Sequence, residues 1–348
     1  MKRLFKIVLR ILMITVIIGI IFFGIRWINS SRYSEYIAPD EESVYVNPSN
    51  LTLYETNQDN MTVETIEERY VNGFHLVPDD IQGDGIIIIF GGSDGSSNYD
   101  LAVQIAQEGY EVYSLFFFGI GDLPEAIHEV PIEFFGDVLT YHDNHSQTEG
   151  PITVLGASKG AELTLNLATV YDEIDNIILY APSAYNFFSL NQLNTDDSSW
   201  SHEEEPLPYL SNMEGSSLEN FKMIAGFMFY TPVSYTPIYQ SIIEGTDDES
   251  LEAARIKAED FDGDGIVFAG GDDLMWDSES MGELINEQAS QIEIYVYPEA
   301  GHLFSMGRYL GNSSSLIAMG GNQEVNQVAL EESNDILKET LANWHNKE

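Results

Sequence analysis

The chain has no cysteine, which excludes disulfides, thiolate metal sites and cysteine nucleophiles. Basic residues are scarce as well: 14 Lys and Arg stand against 57 Asp and Glu, for a net charge of −43. Six of those basic residues (Lys2, Arg3, Lys6, Arg10, Arg26 and Arg32) lie in the first 32 positions, which hold no acid, so the remainder carries eight basic groups and a net −49. A domain this acidic repels nucleic acid and anionic head groups. Its self-repulsion favours solubility and is screened by salt, which raises the expectation of adaptation to a salt-rich setting.

Charge is missing altogether from Ile11 to Ile25. Counted from Ile7 to Trp27, with Arg10 and Arg26 snorkelling to the two interfaces, the run has spanning length. It is long for a cleaved signal peptide, and no small-residue cleavage site follows it. The expectation is one uncleaved transmembrane helix. Its positive cluster precedes the span, so the N-terminus is expected in the cytoplasm and the rest outside, at a cell membrane. The expected domains are a cytoplasmic tip and anchor at 1–32, an acidic stalk at 33–60, and a catalytic domain at 61–348.

Met61–Pro78 offers two strand-like runs, expected as a hairpin turning at Asn72-Gly73. From Gly85 onward, apolar strands alternate with helical stretches. The strands are expected at Ile86–Phe90, Tyr110–Phe118, Ile152–Gly156, Asn176–Ala181, Gly265–Gly271 and Ile292–Pro298. The helices are expected at Tyr99–Glu108, Pro124–Tyr141, about Gly160–Tyr171, Glu279–Gln288 and Glu324–His345. This is the pattern of an α/β protein with a mostly parallel sheet and helices on both faces. The order breaks at about 183–260, a stretch rich in aromatics, Pro, Ser and acids. It reads as a cap over the carboxyl edge of the sheet, where open α/β sheets bind ligands.

Gly156-Ala157-Ser158-Lys159-Gly160 matches G-x-S-x-G, with a strand before it and a helix after it. In a nucleophile elbow the strand and helix approach too closely for Cβ atoms, so both flanking positions are glycine. A second match, Gly91-Gly92-Ser93-Asp94-Gly95, follows the first parallel strand. Order separates them. In this fold a donor loop follows an earlier strand and the nucleophile comes two strands later. Ser158 is therefore the expected nucleophile of an α/β-hydrolase fold, and Ser93 belongs to the donor loop. The backbone N–H of Lys159, with one from Gly92 or Ser93, is expected to form the oxyanion hole.

The acid should follow a later strand. Asp272 and Asp273 compete there, and Asp273 is preferred. The base should follow the last strand, as His302 does. Ser…Asp…His is the chain order of this fold. His75, His128, His142, His145, His202 and His345 have no such context. The acidic run from Asp260 to Asp264 resembles the start of a calcium loop, but its twelfth position is Gly271, so an EF-hand fails. No metal and no cofactor is called for.

The run LGASKGAELTLNLA resembles the nucleophile region of acyl-CoA thioester hydrolases and bile acid-CoA:amino acid N-acyltransferases. The resemblance extends through IIIIFGGSDGSSNYDLAVQIAQEGYEVYSLFFF, DLPEAIHEVPIEFF, SSWSHEEEPLPYL, GGDDLMWDS, YPEAGHL and GGNQEVNQVAL. It covers about Gly85 to the C-terminus, which corresponds to the catalytic C-terminal domain of that family. The resemblance implies the triad Ser158, Asp273 and His302. It also implies hydrolysis rather than amino-acid conjugation, since acyltransferase members use cysteine and hydrolase members serine.

The expected function is a serine hydrolase acting on acyl esters or thioesters. A non-catalytic membrane-anchored binding protein on the same fold stands as the rival, and a serine peptidase or acyltransferase as a third reading. The polyanionic coenzyme A suits so acidic a domain poorly, so a neutral lipid, acyl ester or envelope ester is the expected substrate. Lys159 and Arg308 are rare basic groups with the reach to hold an anion, although packing of the Lys159 stem over the elbow is the preferred reading. Trp200, Tyr209, Phe227 and Tyr230 are candidate acyl-pocket residues, with a cap core as the alternative.

Overall fold

The computed structural model describes residues 2–37, 43–191, 196–304 and 307–345. Parts of the expected stalk (38–42) and cap (192–195) therefore lie outside the described residues.

Helix α1 (Lys2–Arg32) opens the chain. It is followed by β1 (Met61–Glu67), β2 (Asn72–Pro78), β3 (Ile86–Phe90), α2 (Tyr99–Gln107) and β4 (Glu111–Leu115). Next come β5 (Val130–Pro131), α3 (Phe134–His145), β6 (Ile152–Ala157), α4 (Lys159–Ala168) and β7 (Asn176–Tyr180). The cap holds β8 (Trp200–His202), β9 (Glu205–Pro206), α5 (Ser217–Phe229), α6 (Thr236–Gly245) and α7 (Asp248–Ala254). The chain then adds β10 (Asp264–Gly270), α8 (Ser278–Gln288), β11 (Ile292–Tyr297), the short pair β12 (Tyr309–Gly311) and β13 (Leu316–Ala318), and α9 (Gln323–Trp344).

Eight strands form one sheet in the order β1-β2-β4-β3-β6-β7-β10-β11. β1, β2 and β4 pair antiparallel, and every later pairing is parallel. This is the α/β-hydrolase architecture. Parallel strands covered on both faces must be apolar throughout, and all five residues of β3 are fully buried. Ile86, Ile88 and Phe90 join the core beneath α3, α4 and α8, while Ile87 and Ile89 join the core beneath α2 and α9. Each such isoleucine contributes about 1.5–3 kcal/mol by leaving water.

Three expectations are corrected here. The hairpin turns at Glu68–Val71, where the Glu68 N–H donates to the Val71 carbonyl at 3.0 Å, and not at Asn72-Gly73. Gly73 instead lies inside β2, at φ +146°, where a Cβ would sit 2.0 Å from the Ser114 carbonyl oxygen. The helix expected over Pro124–Tyr141 begins only at Phe134. The stretch before it is drawn into β5, because Glu129, Val130 and Ile132 N–H groups donate to Ser198, Ser199 and Ser201 carbonyls of the cap. The strand expected over Tyr110–Phe118 is limited to Glu111–Leu115.

Helix α1 is long and apolar enough to cross a membrane, alone in this among the described residues. Its 31 residues, at about 1.5 Å each, exceed a hydrocarbon layer of about 30 Å. Within the segment read as a stalk, Tyr54 packs against Phe74 and Tyr99, at centroid distances of 4.8 and 5.2 Å.

Candidate active site

The carboxyl ends of the parallel strands converge on one edge. Ser158 occupies the bend between β6 and α4 with φ 55° and ψ −118°. Such a conformation costs a non-glycine residue about 1–3 kcal/mol and persists only where its surroundings enforce it. Here the enforcement is local packing. A Cβ on Gly156 would fall 2.1 Å from the Gly160 carbonyl oxygen, so only glycine lets strand and helix meet. The Ser158 N–H donates to the Tyr180 carbonyl at 2.8 Å, tying the bend to β7.

The loop after β3 lies against this bend. A Cβ on Gly92 would be 3.4 Å from the Ser158 Cβ. The Gly92 N–H donates to Asp94 Oδ1 at 3.1 Å.

Asp272 and Asp273 follow β10 and diverge. Asp273 is buried. Its Oδ1 accepts from Met275 N–H at 2.8 Å, and its Oδ2 lies 2.8 Å from His302 Nδ1. Asp272 turns the other way, accepting from Arg308 Nη1 and Gly321 N–H, each at 2.9 Å. His302 is 2 % exposed, and its N–H donates to the Met319 carbonyl at 2.8 Å. With Nδ1–H donating to a carboxylate, the neutral ring presents Nε2 as an acceptor. The rings of Trp276 and His302 are nearly perpendicular with centroids 5.9 Å apart, and Trp276 Nε1 donates to the Ala181 carbonyl at 3.1 Å. Thus the loops after β7, β10 and β11 are joined.

Both basic candidates are already engaged. The Lys159 ammonium is buried, 2.9 Å from each oxygen of Glu162 and 2.9 Å from Ser199 Oγ. Burial pushes its pKa down against the pull of Glu162. Glu162 also accepts from Trp200 Nε1 at 2.8 Å and Phe187 N–H at 3.1 Å. An ammonium held this way is not available to an incoming anion, whereas Arg308 pairs with Asp272 through half-exposed side chains. For Lys159 the burial speaks for the preferred reading, packing over the elbow, and against the anion-holding alternative. Glu162 and Ser199 were not singled out from the sequence. The signal was the i, i+3 spacing of Lys159 and Glu162 in a helix whose every residue is buried.

The four aromatic candidates have different side-chain partners. Trp200 has no accessible surface and sits under the elbow helix, with Lys159 5.7 Å from its ring. A side chain without accessible surface touches no ligand unless the fold moves, so Trp200 serves as core. Tyr230 is equally buried, its hydroxyl donating to the Asn312 carbonyl at 2.7 Å. The Tyr209 hydroxyl donates to the Asp196 carbonyl at 2.6 Å. Phe227 packs near Tyr235 at 6.4 Å.

Among the described residues, His128, Glu129 and Asp197 bring three potential ligand atoms within 4.8 Å of one another at the cap edge. The Asp260 run forms a short turn leading into β10.

A family model described as BAAT / acyl-CoA thioester hydrolase C terminal matches residues 130–307, just over half of the chain. The chain belongs to this family. It is 29 % identical over 225 residues to acyl-coenzyme A thioesterase 5 of Mus musculus, covering 63 % of this chain and 48 % of that protein. It is 25 % identical over 260 residues to acyl-coenzyme A thioesterase 6 of Homo sapiens, covering 71 % and 55 %. The chain thus spans about half the length of these relatives. Among solved structures, a Pyrococcus horikoshii acylaminoacyl peptidase superposes with a TM-score of 0.51 at 12 % identity, over 87 % of this chain and 44 % of the other. That likeness is one of fold. Within the family match, Ser158, Asp273 and His302 all fall between residues 130 and 307.

Proposed function

We propose that this family member is a serine hydrolase, held at a membrane by α1, that cleaves ester or thioester bonds of acyl substrates. The observation that carries the reading is the buried His302–Asp273 hydrogen bond of 2.8 Å, at the same sheet edge as the strained Ser158 bend. In this mechanism the Ser158 hydroxyl attacks the acyl carbonyl and His302 Nε2 takes its proton. Asp273 fixes the histidine tautomer and balances the imidazolium. The oxyanion is met by the N–H groups of Lys159 and Ser93, and losing one such donor typically costs about 3–4 kcal/mol. His302 then protonates the leaving alcohol or thiol. Water repeats the sequence and frees the acid.

The relatives' names point to thioesters of coenzyme A. The charge points elsewhere for this chain. The domain beyond α1 carries a net −49, and both basic groups near the edge are paired with carboxylates. A polyphosphorylated leaving group would have to compete with Asp272 for the Arg308 guanidinium, since the Lys159 ammonium is buried. A neutral acyl ester or lipid-linked thioester fits better. The membrane reading rests on α1 alone, with its apolar run and flanking arginines.

The test is intact-mass analysis after treatment with a fluorophosphonate. One adduct on the wild-type chain and none on Ser158→Ala is expected, with His302→Ala much slowed and Ser93→Ala still labelled. Full labelling of Ser158→Ala would reject the assignment. A folded wild type that takes no adduct would favour the binding-protein reading.

A further inference from the structure

The cap helix α5 presents an apolar stripe to solvent. Leu218, Phe221, Ile224 and Met228 are 59 %, 67 %, 52 % and 50 % exposed and recur at helical spacing. Its opposite face is the packed one. Gly226 is buried, and a Cβ there would meet Val233 Cγ2 at 2.5 Å.

Three observations bear on what covers the stripe. The first is position. Phe22, inside the uncharged run of α1, contacts Phe229 at the end of α5 with ring centroids 5.3 Å apart. Phe22 lies one turn, about 6 Å, deeper along α1 than Arg26. If α1 spans a bilayer with Arg26 at its boundary, the end of α5 lies at the level of the acyl chains. The second is hydrogen bonding. Arg26 Nη1 donates to the carbonyls of Phe227 and Met228, and Asn29 Nδ2 to that of Phe229, at 2.8 Å for the last. Those are the terminal carbonyls a helix leaves without partners. In hydrocarbon they must be satisfied internally, and here polar side chains of α1 do so. The third is charge. Between Pro206 and Ile243 the only ionisable acids and bases other than tyrosine are Glu214, Glu219 and Lys222, in a domain otherwise dense with carboxylates. Lys222 and Glu219 pair with each other at 2.6 Å.

We infer that α5 is a second membrane contact. It lies in the interface beside α1, with Leu218, Phe221, Ile224 and Met228 seated in the apolar layer of the leaflet facing the catalytic domain. The occupant of the stripe is lipid. This holds the cap against the bilayer and places the hydrolase edge within reach of acyl chains dissolved there. The inference rests on the reading of α1 as an anchor.

The absence of cysteine makes the test direct. Single substitutions Ile18→Cys, Phe221→Cys, Met228→Cys and Val328→Cys are made in the full chain, at positions that are all exposed. Each is labelled with an environment-sensitive fluorophore and reconstituted in phosphatidylcholine vesicles. Quenching by aqueous iodide is compared with quenching by doxyl-labelled lipid. The expected result is lipid quenching with loss of iodide quenching at 18, 221 and 228, and the reverse at 328 on α9. If 18 is quenched by lipid while 221 and 228 respond to iodide like 328, α5 faces water and the inference fails with the anchor intact. If 221 and 228 are shielded from both quenchers, protein covers the stripe, which also overturns it. If 18 is not reached by lipid, the anchor reading falls and takes this inference with it.

Discussion

Gly160 rests on Gly91 so closely that a Cβ on Gly160 would fall 1.9 Å from the Gly91 carbonyl oxygen. Helix α4, which follows Ser158, is thereby pressed onto the loop proposed to supply an oxyanion donor. The two halves of the proposed site share one backbone contact.

Gly160→Ala should force that contact apart. Overpacking of this kind costs about 1–3 kcal/mol, and displacing positioned groups by about 1 Å costs roughly 10²-fold in rate. Urea unfolding and ester turnover should therefore both fall. Gly136→Ala is the control, because its Cβ would find nothing nearer than the Tyr171 hydroxyl at 3.9 Å. Equal behaviour of the two variants would remove the close-approach argument.

Asp272→Asn and Asp273→Asn should separate cleanly. Asp273 holds His302 Nδ1, so its loss is expected to slow turnover by on the order of 10⁴-fold, as for a triad acid that sets the tautomer. Asp272 pairs with Arg308 through side chains that are 39 % and 41 % exposed. Screened pairs of that kind are worth about 1 kcal/mol or less, so turnover should change by tenfold at most. Steady-state kinetics with one ester decides it, and a larger loss at Asp272 would reverse the assignment.

Lys159→Met should destabilise the fold more than its surface-like residue type suggests. It leaves the Glu162 carboxylate buried without its counter-charge, at a cost of about 3–5 kcal/mol. Adding Glu162→Gln should recover part of that loss, since the amide still accepts from Trp200 Nε1. A double-mutant cycle on denaturant midpoints measures the coupling. Strictly additive losses would mean that the two groups do not act as a pair.

His345 predicts a pH dependence. Its Nδ1 donates to the Asp84 carbonyl at 2.5 Å and its Nε2 faces Thr153 Oγ1 at 2.7 Å, which fixes the neutral ring. Burial holds its pKa below the ordinary value of 6.5, outweighing the raising effects of the Asp84 carbonyl and of Asp175. Above that value both folded and unfolded chains are neutral here, and no stability is at stake. As pH falls below it, the unfolded chain takes up a proton that the folded chain refuses, so stability drops with falling pH. His142, depressed mainly by burial, adds in the same sense. Denaturant midpoints between pH 7 and 5 at constant ionic strength should decline in the wild type and decline less in His345→Gln. An unchanged slope would show that another group carries the effect.

Much of this was legible locally. The runs IIIIF and IILY read as buried strands because they are short, rich in β-branched isoleucine and, for IIIIF, bounded by glycines, features that favour a strand over a buried helix segment. The elbow was legible because its glycines answer a steric demand set within five residues. The hairpin turn was misread because Asn72-Gly73 is a turn signal in isolation. Contact of Gly73 with Ser114 and Leu115 of β4, far along the chain, gives that glycine a different purpose.

By itself, then, the sequence determined the alternation of the sheet, the order of Ser158, an aspartate pair and His302 at strand ends, and the uncharged helix at the start. These follow from short-range periodicity and sterics. Tertiary structure decided which of two adjacent aspartates faces His302, where the Lys159 ammonium is held, and which carbonyls Arg26 caps. Each of those depends on the direction in which a side chain leaves its backbone and on at least one partner distant in the chain: His302 for Asp273, Ser199 for Lys159 and the end of α5 for Arg26.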